Sequence, residues 1–144
     1  MPKILDRDPI RESHIIQYED HLHAGHTRKT ITIREAAIKA YKLGEILGKV
    51  TATGKYKQLD PAANDGSQNF AGIFIGSDDA YDPDNLTVPA NTDTTGVVVY
   101  RGQAAVGKAY LRFIAGTTAP QKEAVYAQME AAGFKLIYQP TGLA

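Results

Sequence analysis

The hydrophobic residues of this chain fall in short runs separated by polar, glycine-rich stretches, and this pattern indicates β-strands. Residues 29–33 alternate and carry β-branched side chains, and residues 46–52 form a largely apolar run. Thr53-Gly54 makes a turn and residues 55–59 return, which predicts a hairpin. Further strands are expected at 70–75, 97–100, 104–106, 109–113 and 134–138. A long polar loop, partly an excursion and partly extended, is expected at 78–95.

One helix is predicted near residues 119–132. Thr118 and Gln121 form a capping-box pattern, and Pro120 stands in the first turn. The apolar stripe and the helix-ending glycine are Val125, Met129, Ala132 and Gly133. Several short strands and one late helix predict a mainly-β domain with a small α/β part.

Residues 34–43 are ambiguous on pattern alone. Thr32 and Glu35 have capping-box spacing, and the alanines that follow favour a helix. Gly44 and Gly48 come soon afterwards and would end such a helix early. Both a short helix and a turn between strands are therefore open at this point.

Residues 1–26 differ in composition from the rest of the chain. They include five acidic residues, two prolines and all four histidines, and their apolar residues come singly or in pairs. Such a segment can bury little surface by itself, so we predict an extended N-terminal arm. Within the arm, the side chains expected to bind a partner are Ile15, Ile16 and Tyr18.

The formal net charge is zero, from 16 basic and 16 acidic residues, which argues against a general nucleic-acid or anionic-membrane binder. The charges are unevenly spread. Residues 61–100 hold six acids and no Lys or Arg, whereas 30–60 and 101–144 each carry a net charge of +3. This distribution is typical of a solvated acidic loop, and it would also allow copies of the chain to associate, acid on base.

The chain has no cysteine, which excludes a disulfide scaffold, a thiol nucleophile and a Cys-ligated metal. It has no run of about 18 apolar residues that could cross a membrane. Acidic residues near the N-terminus stand where a signal peptide needs an apolar stretch. We therefore expect synthesis in the cytoplasm and no membrane partner.

The most metal-like residues are His21, His23 and His26, because imidazoles suit zinc or nickel. They lie in a segment without a core to fix them, so no metal site is predicted there. The acidic run at 78–85 does not meet the EF-hand pattern, and a solvated loop is expected instead of a calcium site. No Ser lies in a G-x-S-x-G motif and every His lies in the arm, so neither catalytic residues nor a cofactor is predicted.

Short motifs follow one another in a fixed order through the middle of the chain. The motifs are GEILGKVTATGKY at 44–56, LDPAANDGSQ at 59–68, AGI at 71–73 and RGQAAV at 101–106. Taken in this order, the series resembles the head decoration proteins of lambda-type tailed phages. The resemblance covers roughly residues 29–138.

The resemblance implies a β-clip-like, mainly-β fold with a small α/β subdomain over residues 29–144, preceded by an N-terminal arm over residues 1–28. It also implies a homotrimer that binds the outer surface of the expanded capsid at threefold positions and stabilises the virion against packaged-DNA pressure. The implied partner is the major capsid protein, against which an arm that is mobile in the free trimer would become ordered. Residues 34–45 are then expected to be a turn between two strands rather than a helix.

A second hypothesis is a small trimeric β-clip enzyme of the deoxyuridine-triphosphatase type. Such an enzyme needs an Asp-bearing uracil loop, Arg and Ser contacts to phosphate, and a Gly-rich tail. Residues 139–144 do not supply that tail. A nucleotide-hydrolysis assay separates the two hypotheses.

Overall fold

A computed structural model describes residues 15–19, 27–77 and 84–137. The strands are β1 (Ile16–Glu19), β2 (Arg28–Ile33), β3 (Lys39–Lys42), β4 (Ile46–Lys49), β5 (Tyr56–Gln58), β6 (Gly72–Ser77), β7 (Asn85–Val88), β8 (Thr94–Val99), β9 (Ala104–Gly107) and β10 (Phe134–Ile137). A 3₁₀ helix spans Lys108–Tyr110 and an α-helix, α1, spans Ala119–Ala131. The described part of the chain is mainly β, which confirms the predicted fold class.

Five strands close into a small barrel in the order β2-β5-β4-β6-β8. Neighbouring strands are antiparallel except β2 and β5, which meet in parallel at Ile33 and Tyr56. All five strands contribute to one buried cluster, whose barrel members are Ile31, Ile33, Leu47, Tyr56, Phe74 and Val98. Closure pairs both edges of each barrel strand, so the barrel exposes no long free edge.

A second buried cluster lies on the other face of the barrel strands. Along β6, Ile73 and Ile75 belong to this second cluster, whereas Phe74 between them belongs to the barrel cluster. Successive side chains of a strand point to opposite faces, so β6 is buried on both sides. This double burial explains why the sequence shows a continuous apolar run at 70–75 instead of an alternating one.

The small α/β part covers this second cluster. In its three-stranded sheet, β9 lies between β1, which is antiparallel to it, and β10, which is parallel. Helix α1 begins with the predicted capping box, since Thr118 and Gln121 exchange side-chain hydrogen bonds with each other's backbone N–H at 3.4 and 2.9 Å. Its buried Val125 and Met129 join the second cluster, and Gly133 follows with φ +99°. The helix prediction is confirmed.

A two-stranded antiparallel ribbon pairs β3 with β7 and adds Tyr41 and Val88 to the barrel cluster. The polar loop predicted at 78–95 was expected to be partly extended, and β7 and the first residues of β8 lie within it. The expected absence of a helix at 34–45 is confirmed, although β3 forms a strand within what was expected to be a turn.

The predicted strand at 109–113 is also wrong. The chain there forms the 3₁₀ helix and then a single bridge between Arg112 and Glu45. The observed hairpin of β4 and β5, with Leu47 opposite Gln58, confirms the hairpin prediction.

Candidate functional site

The residues predicted to bind a partner lie at the start of the described chain. Ile15 is fully buried in the second cluster and faces Gly44, where a Cβ would stand 3.2 Å from Ile15 Cδ1. Ile16 is partly buried against the same cluster. Tyr18 lies in β1 opposite Ala105, and its side chain falls outside the described part of the structure. A contact between Ile15 and a partner would therefore require this residue to leave the core.

The Glu19 carboxylate fastens the end of β1 to the start of β2. It accepts hydrogen bonds from Thr27 Oγ1 and, at 2.8 and 2.9 Å, from Arg28 Nε. Thr27 is buried, and its carbonyl accepts a 3.0 Å bond from the Tyr100 N–H. Bonds of this charge-assisted kind are strong, so residues 19 and 27 form a fixed junction. The division between arm and domain at residue 28 remains a prediction.

The residues of the middle motifs contact one another. A Cβ at Gly48 would stand 2.1 Å from the Ser67 carbonyl oxygen, so β4 and the 59–68 loop touch through backbone. The loop is fixed by Asp65, whose Oδ1 accepts bonds from Ser67 N–H and Oγ, and whose carbonyl accepts from Thr51 N–H at 2.9 Å. Ser67 is fully buried. These motif residues hold the loop against the barrel, which is a structural role.

The RGQAAV motif makes a second close backbone contact. A Cβ at Gly102 would stand 2.0 Å from the Gly133 carbonyl oxygen, and Gly102 N–H donates to the Ala132 carbonyl at 2.8 Å. The motif thereby joins the start of β9 to the end of α1. No side chain larger than hydrogen fits at Gly102 without displacing that backbone.

Two carboxylates lie in a polar cluster beneath the ribbon. Glu45 is buried, with its Oε2 accepting from Gln58 Nε2 at 3.1 Å and its Oε1 lying 3.5 Å from Lys39 Nζ. Burial raises the pKa of the Glu45 carboxyl, and this outweighs the lowering by Lys39. Glu35 accepts from Tyr41 OH and, at 2.7 Å, from the Gln58 N–H. Among the described residues, no buried side-chain polar atom lacks a partner, so the cluster is internally satisfied.

Two acids of the 61–100 segment are paired within the chain. Asp93 lies 3.0 Å from Arg34 Nη1 and 2.9 Å from Lys55 Nζ, and Asp65 lies 3.9 Å from Lys57 Nζ. Hydrogen bonds from Lys55 and Arg34 lower the pKa of Asp93, and those from Ser67 lower the pKa of Asp65. These two carboxylates are thus occupied by cations of the same copy.

Three cations converge on two tyrosine rings beside the barrel. Lys29 Nζ stands 4.3 Å from the Tyr100 ring centroid and 5.3 Å from that of Tyr56. Lys49 Nζ stands 5.9 Å from the Tyr56 centroid, and the Arg101 guanidinium carbon stands 4.9 Å from the Tyr100 centroid. We call these five residues the cation–aromatic surface. Stacking over a ring favours each cation but does not neutralise its charge.

The remaining surface features of the described residues do not indicate a particular binding site. Ile38 is the one exposed large hydrophobic residue among them, at 71% exposure, and a single exposed apolar side chain is ordinary. Within the described ranges, no group of three or more His, Cys, Asp or Glu residues could hold a metal ion. The histidines at 21, 23 and 26 and the run at 78–83 lie outside those ranges. None of the described helices has the length and apolar character needed to cross a membrane.

Comparison with known protein families indicates the function of this protein. A family model for the bacteriophage lambda head decoration protein D matches residues 8–134. The chain belongs to this family. As a head decoration protein it is a structural component of a phage virion, located on the capsid. No curated protein matches the chain closely enough to count as a relative.

For a decoration protein the important surfaces are those that meet other proteins, and sequence reasoning found only some of the candidates. The arm was identified from its composition. The cation–aromatic surface was not, because Lys29, Tyr56 and Tyr100 lie far apart in sequence and meet only when β2, β5 and β8 close the barrel. Tyr56 is itself buried in the core, and its ring is approached by Lys29 and Lys49.

Proposed function

We propose that this decoration protein is a homotrimer that binds the outer surface of the expanded capsid at threefold positions, after synthesis in the host cytoplasm. Its partner would be the major capsid protein, and its effect would be to stabilise the shell against the pressure of packaged DNA. The family match over residues 8–134 carries this proposal. The motif residues of that family have structural roles in the fold, as expected of a protein whose function is to bind and brace.

The physical basis of the stabilisation would be mass action. A protein that binds the expanded shell, and not the compact precursor or the ruptured shell, lowers the free energy of the expanded state at every occupied site. A trimer would bind through three arms together. Such multivalency can raise the overall affinity about 10²–10⁴-fold above that of one arm when the geometry allows simultaneous contact.

We propose that the arm supplies the main contact with the shell. Within the described sheet, β1 has one strand neighbour, β9, so its other edge is available for a further strand. An extended segment of the major capsid protein could pair there by strand addition, along a stretch that contains Ile16 and Tyr18. Ile15 would then have a different role from its neighbours. Because it is buried, it would anchor the arm to the domain while residues before it reach the shell.

The test is addition of purified full-length protein to phage heads that lack it. We expect saturable binding to expanded heads and none to compact precursors, with density at the threefold positions in electron micrographs. Decorated heads should retain their DNA under heat or osmotic shock that empties undecorated heads. Sedimentation equilibrium should give the mass of a trimer. Equal binding to compact heads, or binding without any gain in shell stability, would contradict the proposal.

A further inference from the structure

Two lysines of the cation–aromatic surface, Lys29 and Lys49, approach the same tyrosine ring, and the described residues supply neither of them with a carboxylate. Lys29 and Lys49 both stand within 6 Å of the Tyr56 ring centroid, and Lys29 shares the Tyr100 ring with Arg101. Within the described part of the chain, neither lysine makes an ion pair. Bringing like charges together costs free energy unless an anion joins them. The arrangement therefore points to an anionic partner.

Five other cations on or beside the barrel and ribbon form ion pairs within the chain. Each has a carboxylate of the same chain within 4 Å, as the ion pairs Arg28–Glu19, Arg34–Asp93, Lys39–Glu45, Lys55–Asp93 and Lys57–Asp65 show. The acid-rich segment 61–100 supplies two of those carboxylates, Asp65 and Asp93. Lys29 and Lys49 are not among these ion pairs, so a carboxylate that neutralises them would come from another molecule.

Asp84 is an acidic residue that, like Lys29 and Lys49, has no ion-pair partner within the described part of the chain. It stands exposed immediately before β7, and within the described part of the chain it has no ion pair or hydrogen bond. It belongs to the stretch from 61 to 100, which contains no Lys or Arg. Lys29 lies in a barrel strand and Asp84 next to a ribbon strand, and among the described residues no ion pair joins the two within one copy.

We propose that the cation–aromatic surface of one copy binds the Asp84 end of β7 on a second copy. Each copy would then offer its cations to one neighbour and its acid to the other, which is the head-to-tail contact that closes a ring of three. This inference rests on the proposed homotrimer and names the charges that fix its register. A second copy is favoured over nucleic acid because the chain is neutral overall and these cations form a small cluster, not a broad positive face.

Charge reversal on purified full-length protein tests the contact. We expect the variant K29E/K49E to raise the dissociation constant of the trimer at least tenfold in sedimentation equilibrium at low salt, and D84K to weaken the trimer too. The combined variant K29E/K49E/D84K restores opposite charges across the contact, so it should regain most of the lost association. The matched control is K122E/K135E, which reverses two lysines that likewise have no carboxylate partner in the described chain, one of them over the Phe113 ring.

Circular dichroism and thermal melting should show that each variant is folded, and K29Q/K49Q provides a milder pair if charge reversal prevents folding. The inference is overturned if the control weakens the trimer as much as K29E/K49E does, or if the combined variant fails to regain association. It is also overturned if K29E/K49E leaves the trimer intact while losing binding to expanded heads, or to a short oligonucleotide. In those last cases the anion belongs to the shell protein or to a nucleic acid. Failure of the proposed function is distinguishable, because unmodified protein would then not bind expanded heads at all.

Discussion

Gly48 lies so close to Ser67 that the two residues touch through their backbones, with 2.1 Å between an added Cβ at position 48 and the Ser67 carbonyl oxygen. This contact fixes the 59–68 loop on β4. Glycine is therefore required at position 48 because the backbone of Ser67 lies so close, not because the backbone angle is unusual.

We expect Gly48→Ala to lower the free energy of unfolding by at least about 1–3 kcal/mol, because the new methyl group must displace backbone atoms and not a flexible side chain. Gly116→Ala is the matched control. Gly116 has φ +87° and nothing within 4 Å of an added Cβ, so its replacement adds only backbone strain of about 1–2 kcal/mol. Urea denaturation of both variants measures the difference. A smaller loss at Gly48 than at Gly116 would contradict the close approach.

The burial of Ile15 predicts that the end of the arm belongs to the folded domain. Ile15→Ala should cost about 2–5 kcal/mol of unfolding free energy, because it removes a fully buried side chain from the second cluster. Ile38→Ala serves as the control, since Ile38 is 71% exposed and its truncation should change stability by no more than about 0.5 kcal/mol. Equal and small effects at both positions would show that Ile15 is not held in the core.

The contrast between these residues shows what the sequence could predict. Helix α1 was predictable because its signals are local: the Thr118 and Gln121 capping box, the apolar stripe and Gly133 all lie within one segment. The hairpin of β4 and β5 was predictable for the same reason. The burial of Ile15 was not, because an isolated apolar pair in a polar segment gives no periodic signal and its packing partners come from distant strands.

The β3–β7 ribbon and the cation–aromatic surface could not be predicted for a related reason. Strands β3 and β7 pair over a long sequence separation, and β7 lies in a stretch whose prolines and aspartates favour a loop. The cation–aromatic surface depends on barrel closure, which no single motif encodes. Sequence charge counts indicated that acid-on-base association was possible, but only the structure shows that Asp65 and Asp93 are already paired within the chain.

Glu45 gives the fold a pH dependence of definite sign. Burial raises the pKa of its carboxyl, outweighing the opposing effects of Lys39, Arg112 and Gln58. A group whose pKa is raised by folding contributes stability that is present below its unfolded pKa of about 4.3 and is lost as the pH rises through the folded pKa. Glu45→Gln removes this loss. The free energy of unfolding of the variant minus that of the parent should therefore be larger at about pH 8 than at about pH 4.

Unfolding by urea across that pH range measures the effect, and each unit by which folding raises the pKa corresponds to about 1.4 kcal/mol. Asp65 and Asp93 have lowered pKa values, so their contributions are lost at acidic pH and cancel in the comparison of parent with variant. Glu123→Gln, at a side chain 69% exposed, controls for the removal of one negative charge. A gain that is constant with pH, or that grows towards acid, would contradict the raised pKa of Glu45.

The last prediction separates the arm's attachment to the domain from its attachment to the shell. Deleting residues 2–14 leaves Ile15, β1 and the Glu19 junction in place, so the melting temperature should stay close to that of the full chain. Deleting residues 2–19 also removes Ile15 and a strand of the three-stranded sheet, so that variant should melt well below the first. The two truncations therefore differ in stability by what residues 15–19 contribute to the fold.

Binding to expanded heads should follow a different pattern. The segment 2–14 has too little contiguous apolar surface to offset its ordering cost of about 1–2 kcal/mol per residue, so burial against the shell would have to stabilise its ordered form. If it is the main anchor, the 2–14 deletion should lose the benefit of three linked contacts and bind about 10²–10⁴-fold more weakly while remaining folded. A 2–14 deletion that binds as tightly as the full chain would move the anchor to residues 15–19 or to the body of the domain. Ile16→Ala in the full chain distinguishes these, because Ile16 lies in β1 and is only partly buried, so its truncation should weaken capsid binding only if the strand itself meets the shell.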